Sequence, residues 1–414
     1  MVYQPPAGAR DLLPLDVAQK RWIEEHVQPV FHRWGYHRII TSTVEHLDTL
    51  MAGGAIQPST VIQLQSSEDE SLGLRPELTA SIARAAVTRM TDATPLQRLY
   101  YNANVFRRAP KGRYSGQQEF YQAGVELLGQ GGVVADAEIL LLLSDCLNSL
   151  NLNRWHLILG EAGLTRSLLA PFPNPLQDQV RQAIAHLDRI SLESLPLSPE
   201  LRQRALLLMD LRGRPADVLQ KVSQLDLELA QRDTVNKLKS LIDLFYESKS
   251  TEDAQLTSTP NLILDLSLLQ TFDYYTGIVF EIVSDIESGR RVLAQGGRYD
   301  ELLGLYHPQR QTYPGVGFCL NIEDLHQVLL PTGQLPDQVP ASNWLVVPLT
   351  AQVRAAAFAY AEKIRTSTNL VRVEMYLDEA DASREWVRDY ARRCNITQIA
   401  WVQAGNLPEI ETLS

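Results

Sequence analysis

The sequence predicts an α/β (α+β) fold in two parts: a large N-terminal unit of sheet and flanking helices, and a small C-terminal α/β domain. Three observations carry this. Two aromatic and β-branched runs, RLYYNANVFR and EFYQAGVELLG, are separated by the charged, glycine-containing segment Arg107 to Gly116. That is the pattern of two antiparallel strands joined by a long mobile loop. Residues Pro171 to Ser250 carry almost no β signal and several leucine-rich helical stretches. After Thr332 to Ser342, rich in proline and polar residues, strand and helix patterns alternate β-α-β-α-β.

Pro14 to Trp34 reads as a helix, because Val17, Trp22, Ile23, Val27, Val30 and Phe31 recur near helical spacing with polar residues between. Gly35-Tyr36 breaks it, and HRIITSTVE is a β-rich run. Gly53-Gly54 marks a loop. Glu77 to Met90 carries Leu78, Ile82, Ala85 and Ala86 as an amphipathic helix. After the paired strands come an apolar helix, Ala135 to Leu150, and a short buried strand, Trp155 to Gly160. The leucine-rich stretch, about residues 171–250, is a helical insertion or a helical flank to the sheet. STEDAQLTSTP is linker-like. NLILDLSLL, GIVFEIVSD and RRVLAQGGRYD return to strands, and Gly315 to Leu330 reads as a strand then a helix. The expected organisation is a core over 1–331, a linker over 332–342 and an α/β domain over 343–414. In the last, WLVVPL, VRVEMY and IAWVQ are strands around helices through Tyr360 and Trp386 to Arg393.

The chain of 414 residues is long enough for two or three full cores. It has no run of about 18 or more apolar residues, so no membrane span is expected. The start, MVYQPPAGARDLLP, has no basic region followed by an apolar run, so no signal peptide is expected. Cys146, Cys319 and Cys394 are few, odd in number and far apart; they fit a reducing cytoplasm and make no zinc pattern. The net charge of -11 disfavours broad attraction to nucleic acid. From Ala341 onward 8 Lys and Arg stand against 9 Asp and Glu, a net of -1, where an RNA-reading domain usually carries a basic face. The expectation is a cytoplasmic protein with no metal, no cofactor and no tRNA partner.

Several blocks in order resemble histidyl-tRNA synthetase over roughly Pro6 to Leu330: GARDLLP, FHRWGYHRIITSTVE, LRPELTASIARAA, the two paired runs, FDYYTGIVFE and QGGRYDELL. The resemblance implies a class II aminoacyl-tRNA synthetase-like fold, a mixed, mostly antiparallel sheet flanked by helices with the amino acid lying on it. The final domain is similar to a truncated anticodon-binding domain. The resemblance also implies a site. Glu77 and Thr79 of RPELT, joined by Gln122 of FYQ, stand where the family holds the α-ammonium of histidine. Glu126 of GVE stands where the family hydrogen-bonds the imidazole, with Tyr275 of DYY completing that contact and Tyr274 beside it. Arg107 of VFR matches an arginine that meets a carboxylate or phosphate, and Arg113 of KGR lies in the loop. The chemistry suits these roles. A zwitterion needs an acidic partner for its ammonium and a cationic or amide partner for its carboxylate. An imidazole has a donor and an acceptor that a carboxylate and a tyrosine hydroxyl can fix.

Two positions depart from the family. Its RGLDYY motif is QTFDYY here, with Gln270 in the arginine's place, and its closing GxxRL is GFCLNIEDL, with Asp324 in the arginine's place. Adenylate formation presses a carboxylate against a phosphate, and the family neutralises that charge with arginines. Losing one such preorganised stabiliser costs ~10²–10³ in rate. A chain that keeps the amino-acid pocket and loses these cations resembles the regulatory subunits of ATP phosphoribosyltransferase, a non-catalytic, synthetase-like family. This resemblance implies a role in the first step of histidine biosynthesis and assembly with a short-form catalytic subunit that lacks its own regulatory domain. It further implies histidine as feedback effector and a homodimer within a hetero-oligomer, paired through the segment around Phe31 to Glu45. The alternatives are an active histidyl-tRNA synthetase, which would catalyse pyrophosphate exchange, and a stand-alone histidine-binding sensor, which would need no catalytic partner.

Overall fold

A computed structural model describes residues 4–54, 56–65, 70–90, 96–108, 116–249, 261–268, 274–285, 289–368, 370–378 and 383–413. They form two compact units, divided between Leu335 and Pro336.

In the first unit α1 (Pro14–Arg33) leads to β1 (His37–Arg38), β2 (Val44–His46), α2 (Leu47–Met51), β3 (Ile62–Leu64) and β4 (Leu72–Leu74). Then come α3 (Thr79–Arg89), the long strands β5 (Gln97–Phe106) and β6 (Glu119–Leu128), α4 (Val133–Ser149), β7 (Trp155–Glu161) and α5 (Ala162–Leu169). The leucine-rich stretch folds as α6 (Asn174–Ala185), α7 (Arg189–Ser194), α8 (Pro199–Met209), β8 (Arg212–Gly213), α9 (Pro215–Ser223) and α10 (Leu229–Lys249). β9 (Asn261–Asp265), β10 (Ile278–Ser284), β11 (Arg291–Arg298), α11 (Leu302–Tyr306), β12 (Gly315–Asn321) and α12 (Ile322–Leu329) follow.

Nine strands make one sheet in the order β1-β5-β6-β12-β11-β10-β7-β9-β8. Only β1 with β5 and β7 with β9 run parallel, so the sheet is mixed and mostly antiparallel, as the resemblance implies. β2, β4 and β3 form a separate small antiparallel sheet. The side-chain period of two decides what each face does. Along β6, Ala123, Val125 and Leu127 enter the main core with Ile23, Val27 and Phe31 of α1 and Ile139, Leu142 and Cys146 of α4. Phe120 and Leu128 take the other face, with Leu78, Ile82 and Ala86 of α3's packing surface. Gln122 and Glu126 share that second face by the same period.

One expectation changes and one pair of alternatives is decided. HRIITSTVE yields strands only at its ends, β1 and β2. Between them the carbonyls of Thr41 and Ser42 accept from Nη1 of buried Arg75 at 2.8 and 3.1 Å, so an arginine replaces a strand partner. The leucine-rich stretch is a flank: Val180, Leu208, Val218, Leu238 and Phe245 share one core with the sheet. It also supplies β8 to the sheet edge, two residues too short to show any alternation. The linker-like STEDAQLTSTP, residues 250–260, lies outside the described residues.

The second unit comprises β13 (Trp344–Pro348), α13 (Arg354–Ser367), β14 (Val373–Met375), α14 (Arg384–Arg393), β15 (Gln398–Val402) and β16 (Glu409–Thr412). Its sheet is ordered β14-β13-β15-β16, the first three parallel and β16 antiparallel to β15. β16 lies beyond IAWVQ, the last strand expected from the sequence. Its pairing is fixed by the ladder to β15 and by Glu411, which accepts from Trp401 Nε1 at 2.9 Å. Among the described residues no helix is long and apolar enough to cross a membrane.

Candidate amino-acid site

The polar face of β5, β6, β11 and β12 becomes a cleft under the start of α3. It encloses about 380 Å³, open mouth included, and all seven residues expected from the sequence line it: Glu77, Thr79, Arg107, Gln122, Glu126, Tyr274 and Tyr275. Glu126, toward the end of β6, is 1% exposed. Thr79 Oγ1 donates to its Oε1 at 2.8 Å, and the Tyr299 hydroxyl donates to its Oε2. Its β12 partner is Gly317, where a Cβ would collide with the same carboxylate. Glycine is required there for steric reasons. At Gly297 a Cβ would lie 2.6 Å from the Tyr275 ring, so the glycines of GGRYD let aromatic rings lie against the sheet.

Glu77 has a second job. Its carboxylate accepts from the backbone N–H of Thr79 at 2.6 Å and of Ala80 at 2.9 Å, satisfying orphan donors at the start of α3. Arg107, just past β5, donates from Nε to the Pro76 carbonyl at 2.9 Å, and its guanidinium lies 5.8 Å above the Phe120 ring. Gln122 Nε2 lies 3.4 Å from Asn321 Oδ1. The rings of Tyr274 and Tyr275 are 4.8 Å apart, and Tyr274 meets Tyr299 edge-on at 5.9 Å.

Tyr299, Tyr101, Gln295 and Cys319 also line the cleft, and the sequence reading gave none of them a role. For Tyr299 a signal was present: a tyrosine two residues after a glycine pair, just past a strand end. Among the described residues the tyrosine hydroxyl bonded to Glu126 is that of Tyr299. Asp324 accepts from Arg291 Nη1 at 3.0 Å, so the charge-reversed position is one half of an ion pair between α12 and β11. Gln270 and Arg113 lie outside the described residues.

Electrostatically the cleft holds two buried carboxylates. Burial pushes Glu126 up to about 8, opposed by the Tyr299 and Thr79 hydroxyls and reinforced by the charge on Glu77. Burial also raises Glu77, while the N–H groups of Ala80 and Thr79 and the charge of Arg107 pull it back. This has a consequence for stability. The native chain keeps a proton on Glu126 between its ordinary value, 4.5, and about 8, where the unfolded chain has lost it. Stability therefore falls as pH rises through that window, by up to about 1.4 kcal/mol per pH unit. Thermal melts of the unliganded protein should show a midpoint that declines from pH 5 to pH 8. The Glu126→Gln variant, which cannot ionise, should show a shallower decline; parallel curves would place Glu126's titration in the ordinary range.

Among the described residues no group of three or more His, Cys, Asp or Glu is placed to hold a metal ion. The histidyl-tRNA synthetase family model matches residues 8–325. The chain is 66% identical over 413 residues to the ATP phosphoribosyltransferase regulatory subunit of Nostoc punctiforme, covering 100% of each. Among solved structures it is similar to an ATP phosphoribosyltransferase regulatory subunit/histidyl-tRNA synthetase from Bacillus halodurans. That alignment has a TM-score of 0.79 and 26% identity, covering 97% of this chain and 98% of that one. A histidyl-tRNA synthetase from Nostoc sp. PCC 7120 shares the fold at a TM-score of 0.76 and 19% identity, covering 97% of this chain and 92% of that one.

Proposed function

The chain belongs to the ATP phosphoribosyltransferase regulatory subunits of the histidyl-tRNA synthetase-like family, and from that premise we propose that it senses free histidine in the cleft on β6 and relays its occupancy to a catalytic partner. It is a non-catalytic subunit with a regulatory role in histidine biosynthesis. The partner is a short ATP phosphoribosyltransferase chain that lacks its own regulatory domain, and this chain enters the complex as a homodimer.

One observation carries the reading: acidic, amide and cationic side chains suited to both ends of a histidine zwitterion line one cleft, while Asp324 is negative and already paired with Arg291. Glu77 and Gln122 meet the ammonium, Arg107 the carboxylate, and Glu126 with its Thr79 and Tyr299 hydroxyls the imidazole. A pocket built to hydrogen-bond polar groups rejects ligands that lack them by roughly 10⁴-fold or more. Feedback then requires that histidine favour one state of the complex over the other, typically by ~1–3 kcal/mol.

The test is copurification of this chain with a short catalytic subunit, followed by assay of the complex with and without histidine. The complex should form, turn over, and lose activity as histidine is added. Full activity of the catalytic chain alone would remove the regulatory assembly. Inhibition that survives intact in a Glu126→Ala complex would move the effector to another site.

A further inference from the structure

We propose that the second unit carries a ligand site of its own, for a small anion bearing a flat ring, in the cleft at the carboxyl ends of β13 and β14. The proposal stands apart from the histidine reading and uses none of its residues.

The topology makes the cleft. β13, β14 and β15 run parallel in the order β14-β13-β15, so the chain leaves β13 to one side and returns to the other. The two helices consequently cover opposite faces. Ala357 and Ala361 of α13 pack with Val346, Ala400 and Val402. Val387 and Ala391 of α14 pack with Leu345, Val347 and Ile399. Where neighbouring connections depart to opposite faces, a crevice opens outside the carboxyl ends of the strands, and ligands of open α/β sheets bind there. At that place lies a cleft of about 1150 Å³, open mouth included.

Its lining sets the ligand class. Phe358 and Tyr376 bring two accessible aromatic side chains from α13 and the end of β14, while the buried ring of Trp401 on β15 forms part of the floor. Flat rings stack on such surfaces. Arg354 stands four residues before Phe358 and also lines the cleft, so cation and ring share one side of α13. A guanidinium there favours a carboxylate or phosphate on the same ligand. Thr350 and Asp378, the latter 3.4 Å from the Tyr376 hydroxyl, add groups that accept hydrogen bonds from ring N–H. The fold itself does not use the Phe358 ring: α13 buries only Ala357 and Ala361, and Phe358 is 54% exposed.

The test titrates the full chain with two probes, AMP and indole-3-acetate, by calorimetry. Both carry a flat ring and an anion, one a phosphate and the other a carboxylate. At least one should bind below about 1 mM, the weak end of specific affinity. Binding of AMP alone identifies a nucleotide site, and binding of indole-3-acetate alone a carboxylate site. Phe358→Ala and Arg354→Ala, both at exposed positions, should each weaken binding by about 10-fold, whereas Glu126→Ala should leave it unchanged. No heat with either probe, or equal affinity in both second-unit variants, overturns the proposal.

Discussion

Pyrophosphate exchange with histidine and ATP is expected to run about 10⁴-fold or more below the rate of a working histidyl-tRNA synthetase, that is, at the level of a blank without histidine. Adenylate formation develops negative charge between two anions, and each preorganised cation removed costs ~10²–10³. Two such losses do not simply add, but ~10⁴ is a reasonable combined figure. Gln270 offers hydrogen bonds without charge. Asp324 offers the wrong charge, and its neighbour Arg291 is held in an ion pair with it at 3.0 Å. The pair is about one-third exposed on each side, so it contributes little to stability by itself. Its effect here is to occupy the cation nearest the reversed position. Radiolabelled pyrophosphate appearing in ATP, dependent on histidine, would sink the non-catalytic assignment.

The second large effect concerns Glu126. Substitution by Ala should lower histidine affinity by about 10- to 150-fold, the ~1.5–3 kcal/mol typical of a hydrogen bond to a charged group. Glu126 retains its proton to about pH 8 in the empty cleft. It can therefore donate to one ring nitrogen, or pass the proton over and pair with an imidazolium; alanine does neither. Glu77 gives a less clean test. It also satisfies two N–H groups at the start of α3, and losing such a cap costs about 1 kcal/mol of stability. A Glu77→Ala effect would mix folding with binding. For Glu126→Ala, unchanged calorimetric affinity would show that the inherited cleft is vestigial and that histidine acts elsewhere.

The sequence by itself determined the long elements and seven of the side chains that line the cleft. α1, α4, β5 and β6 were legible because ten or more residues of consistent period leave little ambiguity. All seven of those residues lie within three motif blocks, RPELT, the paired runs and DYY, with Arg107 the last residue of the first run. Period two then dictated that Gln122 and Glu126 share a face away from the α1–α4 core. The tertiary structure alone decided the rest. No local pattern says that Tyr299 crosses to Glu126, since those residues are 173 apart in sequence. Nor does any local pattern give β8 or β16, whose few residues become strands only because a neighbouring strand offers its ladder. The same holds for residues 39–43, where a β-rich run stays unpaired over most of its length because buried Arg75 takes the carbonyls of Thr41 and Ser42. Short elements and polar contacts depend on partners distant in the chain, and hydrophobic period carries no information about which distant partner will arrive.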